Sequence, residues 1–295
     1  MYYWHLLFSL YLLFLSIHTP LKSETRGSSA PYISGDTFRS ISNHVFDETT
    51  PCFDPAQVKK GDIVFVKTDW EHLGHFFSCY HPLIEHPYVL ITHNSDHSAP
   101  GPFHEYLSSP KLLSWFAQNV EGFKHEKLYN IPIGIANKCW AHGNPTTFSL
   151  MQQKIPMMNR TILCYSNFAP STYPKERMPV LDLFKNQSFC VHSKTKGLKP
   201  YLHDLGSSVF VLSPRGNGID CHRTWEALLM GAIPIVRTSS LDPLYEDLPV
   251  VIVNHWEEVT EDFLIEQKNK IQKSEFRLDK LYIDFWKNLI FSKAK

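Results

Sequence analysis

The sequence has no excess of charge of either sign, because 29 Lys and Arg residues balance 29 Asp and Glu residues over 295 positions. A neutral chain lacks the long-range positive field that draws proteins onto nucleic acid or an anionic membrane surface. Nucleic acid is therefore not an expected partner. Disorder is not expected either, since 43% of the residues are hydrophobic and 14% are aromatic, which is enough for a packed core.

The overall balance hides two halves of opposite charge. Residues 23–150 carry 9 Lys and Arg against 13 Asp and Glu, whereas residues 151–295 carry 19 against 16. Ten of the 16 histidines also lie between residues 23 and 150. This difference predicts two units with different roles, which divide near residue 150.

Cysteine is scarce, and none of the six cysteines belongs to a C-x-x-C motif. This number is too small for a disulfide scaffold and the spacing does not fit a zinc ribbon, so most of them are expected to be free, buried thiols. His72 and His75 share a helix face, with Cys79 one turn later, which raises a zinc site as an alternative. A partly buried helix with ordinary hydrogen-bond partners is preferred, and no bound metal is expected.

The N-terminus lacks charge, since residues 1–17 contain no Asp, Glu, Lys or Arg. The apolar run predicts a signal peptide or signal anchor over residues 1–22. A basic segment before the run and an A-x-A cleavage site are both missing, so cleaved and uncleaved forms stay open. Residues 23–55, rich in Ser, Thr, Pro and Gly, are expected to form an exposed stem. These features predict a membrane or secretory location, lumenal and of Golgi type in a eukaryotic cell.

The rest of the chain alternates short apolar runs with helical patterns, which predicts an α/β fold with parallel, doubly wound sheets. Eight runs and the change in composition near residue 150 indicate two α/β domains, at residues 56–150 and 151–275. An amphipathic helix is expected within residues 276–295. The predicted strands are residues 63–66, 88–92, 129–133, 161–165, 189–191, 209–212, 233–236 and 250–253.

The most informative segment follows the strand that ends at residue 212. Gly216 and Gly218 form the only G-x-G of the chain, and a helix follows them, which is a favourable arrangement for an anion. Arg215 and Arg223 add fork-shaped donors that suit a phosphate, and Glu226 could accept hydroxyl groups of a ribose. The segment therefore predicts a site for a nucleoside diphosphate.

Other nucleotide motifs are missing from this segment. The third glycine of a G-x-G-x-x-G motif would stand at residue 221, which is Cys221, and no G-K-[ST] follows the second glycine. The alternative explanation is a tight turn between a strand and a helix, whose Arg and Glu side chains form surface ion pairs.

As a whole, residues 210–240 resemble the exostosin-like glycosyltransferases, which have a GT-B architecture with two Rossmann-like domains facing a cleft. The resemblance is carried by Pro214-Arg215-Gly216, Arg223, Glu226 and the run Gly231-Ala232-Ile233-Pro234-Ile235. It implies an inverting transfer of a hexosyl or pentosyl group from a nucleotide sugar, with UDP as the expected nucleotide and no other cofactor. It also implies that Arg215 and Arg223 hold the diphosphate, that Glu226 binds the ribose, and that Gly216 and Gly218 let the backbone approach the phosphates.

An inverting transfer needs a base that takes the proton of the acceptor hydroxyl. In GT-B enzymes this base usually comes from the N-terminal half. Among Asp69, His93, Asp96 and Glu105, we favour His93 or Asp96, because they follow a strong predicted strand. The alternative is that residues 94–96 only form an Asx turn or a helix cap.

Three hypotheses follow from the sequence. The first is an inverting glycosyltransferase that acts on a glycan or a glycosylated acceptor, attached to a membrane if residues 1–22 are not cleaved. The second is a non-catalytic partner protein that binds a nucleotide sugar or a glycan and derives from such an enzyme. The third is a metal-dependent hydrolase that uses the histidine cluster, and it requires bound zinc.

Overall fold

The computed structural model describes residues 26–295, in which ten strands form two five-stranded parallel sheets. This arrangement confirms the predicted α/β fold with two parallel sheets. The hydrophobic segment predicted over residues 1–22 lies outside the described residues. Within the described part of the chain, no helix is long and apolar enough to cross a bilayer.

The first sheet contains, in spatial order, β1 (His44–Phe46), β2 (Ile63–Lys67), β3 (Tyr88–His93), β4 (Leu112–Ala117) and β5 (Leu128–Asn130). The second contains β10 (Val251–Val253), β9 (Ile233–Arg237), β8 (Ser208–Leu212), β6 (Ile162–Ser166) and β7 (Cys190–His192). The helices are α1 (Gly35–Ser40), α2 (Trp70–His75), α3 (Pro145–Gln152), α4 (Pro174–Phe184), α5 (Leu198–Gly206), α6 (His222–Leu229), α7 (Glu261–Ile271) and α8 (Ile283–Ser292).

The strands of the first sheet follow one another in chain order. Parallel crossovers are right-handed, so connections that always step in the same direction all lie on one face of a sheet. On that face, Leu90 and Trp115 share a core cluster with Leu73 of α2 and with Phe76 just after it. The first half is therefore not doubly wound, in contrast to the sequence prediction.

Two segments that are far apart in the chain cover the opposite face of the first sheet. Phe65 of β2 shares a core cluster with Phe38 of α1 and with Trp286 of α8. The backbone N–H of Ile283 also donates to the carbonyl of Pro31 at 2.9 Å. The chain thus returns to its first half after completing the second.

The expected stem over residues 23–55 needs correction, because its described part belongs to the folded core. Ile33 and Phe38 are fully buried, and β1 is an edge strand of the first sheet. Its small polar residues have structural contacts, as shown by the Ser34 hydroxyl, which accepts the N–H of Thr37 at the start of α1. A composition typical of a linker here reflects caps and turns.

Only the second sheet reverses its direction of growth. Its order β10-β9-β8-β6-β7 places β7 on one side of β6 and the later strands on the other side. The switch point therefore lies between β6 and β8. Ligands of open α/β sheets bind beyond the carboxyl ends of the strands at such a point.

We expect Gly134→Ala to lower the free energy of unfolding by roughly 2–5 kcal/mol. Gly134 has a φ of 66°, and an added Cβ would overlap the carbonyl of Ile33, which itself accepts the N–H of Ile135 at 2.9 Å. Gly122 is the matched control, since its φ is 78° and a Cβ there meets nothing within 4 Å. Its replacement by Ala is expected to lose about 1–2 kcal/mol, from the left-handed backbone alone. Equal losses for the two variants in urea denaturation would contradict the close packing at Gly134.

Candidate functional site

A cavity of about 400 Å³ opens at the switch point of the second sheet. We call it the switch-point cavity. The segment after β6, the loop after β8 and the first turns of α6 form most of its wall, and the first half adds a few residues from across the cleft. Its lining includes Asp96, His142, Asn167, Phe168, Arg177, Tyr201, Gly216, Gly218, Asp220, His222, Arg223 and Glu226.

Two arginines bring guanidinium groups to this cavity. Arg223 of α6 donates from Nε and Nη1 to the carbonyls of Asn167 and Pro214, at 2.9 and 3.3 Å. Arg177 of α4 donates from Nε to the carbonyl of Arg215 at 2.8 Å. Backbone carbonyls thus fix both groups in place at the carboxyl ends of β6 and β8.

The two guanidinium groups are buried without a carboxylate partner. Arg177 exposes 6% and Arg223 exposes 9% of its surface, and neither makes an ion pair with a carboxylate within residues 26–295. The pKa of Arg177 is lowered by burial and by repulsion from Arg223. Since buried charge is costly without a counter-charge, an anion in the cavity would stabilise both side chains.

Arg215 is not brought to the cavity with Arg223. Its guanidinium lies over the ring of Tyr173, 4.7 Å from the ring centre, and Nη2 donates to the carbonyl of Asn217 at 2.8 Å. Arg215 instead lines a separate cavity of about 240 Å³. Of the three arginines, Arg177 and Arg223 therefore share the switch-point cavity, and Arg215 does not line it.

Glu226 lines the cavity and keeps one carboxylate oxygen free. Its Oε2 accepts the hydroxyl of Tyr201 at 2.8 Å, while Oε1 has no hydrogen-bond partner within the described residues. Burial is the main cause of the raised pKa of Tyr201, and the charge of Glu226 adds to it, so the phenol stays a donor. The free oxygen can accept a hydroxyl group from a ligand.

The two glycines of the loop pack closely against other side chains. A Cβ at Gly218 would lie 2.6 Å from Nδ2 of Asn119, in the first half, and one at Gly216 would lie 3.2 Å from Nη2 of Arg177. Asn119 also accepts the N–H of Asp220 through Oδ1 at 3.0 Å. The absence of side chains here thus lets the loop approach the first half and Arg177, besides leaving room for a ligand.

His93 and Asp96, the predicted bases, have different environments. His93 is fully enclosed, its Nδ1 accepts the N–H of Asn94 at 2.7 Å, and its Nε2 lies 3.1 Å from the carbonyl of Pro132. Burial lowers its pKa to about 4, so the ring is neutral and both nitrogens are occupied. Asp96 is exposed and lines the switch-point cavity, where its Oδ2 accepts a hydrogen bond from Nδ2 of Asn217 at 3.4 Å.

A second polar cavity of about 300 Å³ lies at the carboxyl ends of β2, β3 and β4. We call it the first-sheet cavity, and Asp96, Ile133 and His222 line both cavities. Gln118 is 1% exposed there, and its Oε1 has no hydrogen-bond partner among the described residues. Trp140 adds a ring that is 68% exposed. An orphan buried acceptor beside an exposed aromatic ring suits a ligand with hydroxyl groups.

Asp220 is a buried carboxylate that the sequence analysis does not single out. Its oxygens accept the N–H groups of Ile133 and Cys221, both at 2.8 Å, and the indole N–H of Trp225 at 2.9 Å. Burial raises its pKa to about 6, although these hydrogen bonds favour the charged form. Its position in the sequence, between the glycine loop and α6, is the signal from which it could have been chosen as a site residue.

The histidine cluster considered as a zinc site has ordinary contacts. Nδ1 of His72 lies 2.7 Å from the Asp69 carboxylate, and His75 stacks on Phe46. Within residues 26–295, no group of three or more His, Cys, Asp or Glu side chains is arranged to hold a metal ion.

Among solved structures, two that are similar to this chain are enzymes. A glycosyltransferase from Rickettsia africae ESF-5 has 11% identity and a TM-score of 0.37, over 79% of this chain and 71% of that chain. The UDP-GlcNAc 2-epimerase from Methanocaldococcus jannaschii has 10% identity and a TM-score of 0.33, over 73% and 71%. At such values neither likeness supports a conclusion about function. No family model matches the sequence, and no curated protein matches it.

We expect Asp220→Asn to lower the free energy of unfolding by about 1–3 kcal/mol. The substitution keeps the size but turns one acceptor oxygen into an NH₂ group that faces an N–H donor. Asp182→Asn is the matched control, because that exposed carboxylate only pairs with Lys185 on the surface and should change stability by less than about 1 kcal/mol. Equal changes in urea denaturation would show that the three hydrogen bonds of Asp220 do not hold the structure together.

Proposed function

We propose that the protein is a glycosyltransferase that moves a sugar from a nucleoside diphosphate, with UDP the expected nucleotide, to a hydroxyl group of a glycan or glycosylated acceptor. The observation that carries the proposal is the pair of buried guanidinium groups, Arg177 and Arg223, which lack a carboxylate partner within residues 26–295. Each guanidinium keeps N–H groups beyond those that donate to protein atoms, and such donors fit the oxygens of a diphosphate. The start of α6 lies on the same wall, and its dipole also favours an anion.

Glu226 supports a ribonucleotide as the donor. It lies one turn beyond Arg223 in α6. Its Oε2 is bound to Tyr201, so we assign its free Oε1 to the ligand. A ribose joined to a diphosphate would extend from the two arginines towards this oxygen. The ligand class is therefore a nucleoside diphosphate with a ribose.

The first-sheet cavity is the proposed acceptor side. It joins the donor side at Asp96 and His222, and it offers Gln118 and Trp140 to a polar ligand with an apolar face, as a sugar ring has. A hydroxyl at the junction could attack the anomeric carbon opposite the departing diphosphate. Such a single displacement inverts the configuration at that carbon.

The membrane or secretory location also remains a proposal. It rests on the uncharged apolar run of residues 1–17 and on the glycan acceptor proposed here. A non-catalytic binding protein is the alternative, and it shares the donor cavity. Release of UDP from a UDP-sugar separates the two, because a binding protein holds the nucleotide without turnover.

We expect Arg177→Ala and Arg223→Ala each to weaken UDP binding roughly 10- to 100-fold, because each loses a charged hydrogen bond to phosphate. Isothermal titration calorimetry with UDP measures the change, and circular dichroism checks the fold. Arg277→Ala is the control, since this side chain is exposed, forms an ion pair with Asp279 and lies over the ring of Phe285, outside the switch-point cavity. Arg215→Ala should have a smaller effect than Arg177→Ala. If Arg177→Ala and Arg223→Ala bind UDP as tightly as the parent, the donor site is misplaced.

We expect the parent to prefer UDP over 2′-deoxy-UDP by roughly 10- to 100-fold, the value of one hydrogen bond to a charged carboxylate. Glu226→Gln should reduce this preference to a few-fold, since the amide keeps the shape but loses the charge. Glu266→Gln, at an exposed position of α7, should leave the preference unchanged. An undiminished preference in Glu226→Gln would remove the ribose contact from the proposal.

A further inference from the structure

His222 stands where the two cavities meet. It is the first residue of α6, in the second half, and it lines both the switch-point cavity and the first-sheet cavity. Its Nδ1 lies 2.7 Å from the carbonyl oxygen of Gly134, in the segment that leaves the first sheet. The second half thus supplies the backbone of His222, and the first half holds its ring through a hydrogen bond.

The contact with Gly134 decides which nitrogen of His222 carries the proton. A carbonyl oxygen only accepts, so Nδ1 must be the N–H donor of this hydrogen bond. In the neutral ring, the lone pair then lies on Nε2. Within residues 26–295 Nε2 has no hydrogen-bond partner. The backbone therefore holds a half-buried imidazole with a free basic nitrogen at the junction of the cavities.

The other titratable groups near the junction are less suited to accept a proton. Both nitrogens of His93 are occupied, and the oxygens of Asp220 accept three N–H groups. Asp96 is exposed and contacts only the amide of Asn217 through its carboxylate, so nothing else fixes its direction.

We infer that His222, on the donor half, is the general base of the transfer, an inference that rests on the proposed function. The acceptor oxygen forms a bond to the anomeric carbon while the bond from that carbon to the diphosphate oxygen breaks. The hydroxyl proton passes to Nε2 of His222, and the nucleoside diphosphate leaves with the electron pair. The imidazolium then releases the proton to solvent. The resemblance of the sequence implies a base from the other half, so this assignment is specific to the geometry described here.

The test measures UDP release from a panel of UDP-sugars, with water and with a panel of soluble oligosaccharides as acceptors. His222→Ala should bind UDP within about threefold of the parent but release it roughly 10²- to 10⁴-fold more slowly, the usual contribution of a general base. Added imidazole should restore part of the rate, because it can occupy the space of the lost ring. His203→Ala, at an exposed position outside both cavities, should match the parent and show no response to imidazole.

The outcomes separate this inference from the proposed function. A rate of His222→Ala close to that of the parent, or a loss that imidazole does not restore, overturns the role of His222 while leaving the transferase intact. A parent that binds UDP but releases none from any sugar nucleotide overturns the transfer reaction and the base together. A slow His222→Ala with normal UDP binding and rescue by imidazole supports the base.

Discussion

The buried carboxylate of Asp220 is the contact on which the candidate site depends. It joins the backbone of Ile133 in the first half to the start of α6 in the second, and it also holds the indole of Trp225. His222 and Arg223 follow two and three residues later in the chain, so their positions follow from this contact. A charged group is costly to bury, and three N–H donors offset part of that cost here. The site is therefore positioned by polar contacts between the halves as well as by packing.

The two sheets contribute differently to this arrangement because their topologies differ. The strand order of the second sheet reverses between β6 and β8. The connections that leave these two strands run in opposite directions, and a crevice lies between them. The first sheet has no reversal, and its cavity forms instead from the segments after β2, β3 and β4 together with Trp140. One crevice is lined by two buried arginines without a carboxylate partner in the described part of the chain, and the other by an indole, amides and side chains of both charges, among them Lys67 and Glu48. This difference gives the two sides of the cleft distinct chemistry.

The sequence predicted the two parallel sheets and the segment around α6, because apolar runs and a glycine loop leave local signals. The position of Arg177 leaves no local signal, since only the sheet order brings α4 beside the loop after β8. The pattern around Arg215 fixes a backbone position and not the direction of its side chain, which lines a separate cavity. The burial of Phe38 was also not predictable. All crossovers of the first sheet lie on one face, so the other face is left for α1 to cover, and local sequence does not reveal this topology.

The return of α8 to the first sheet has a consequence for the order in which the chain can fold. Trp286 and Ile290 complete the core on a face that the first half cannot cover with its own crossovers. During synthesis, the ribosome makes these residues after the entire second half. Part of one face of the first sheet therefore stays uncovered until these last residues have been made.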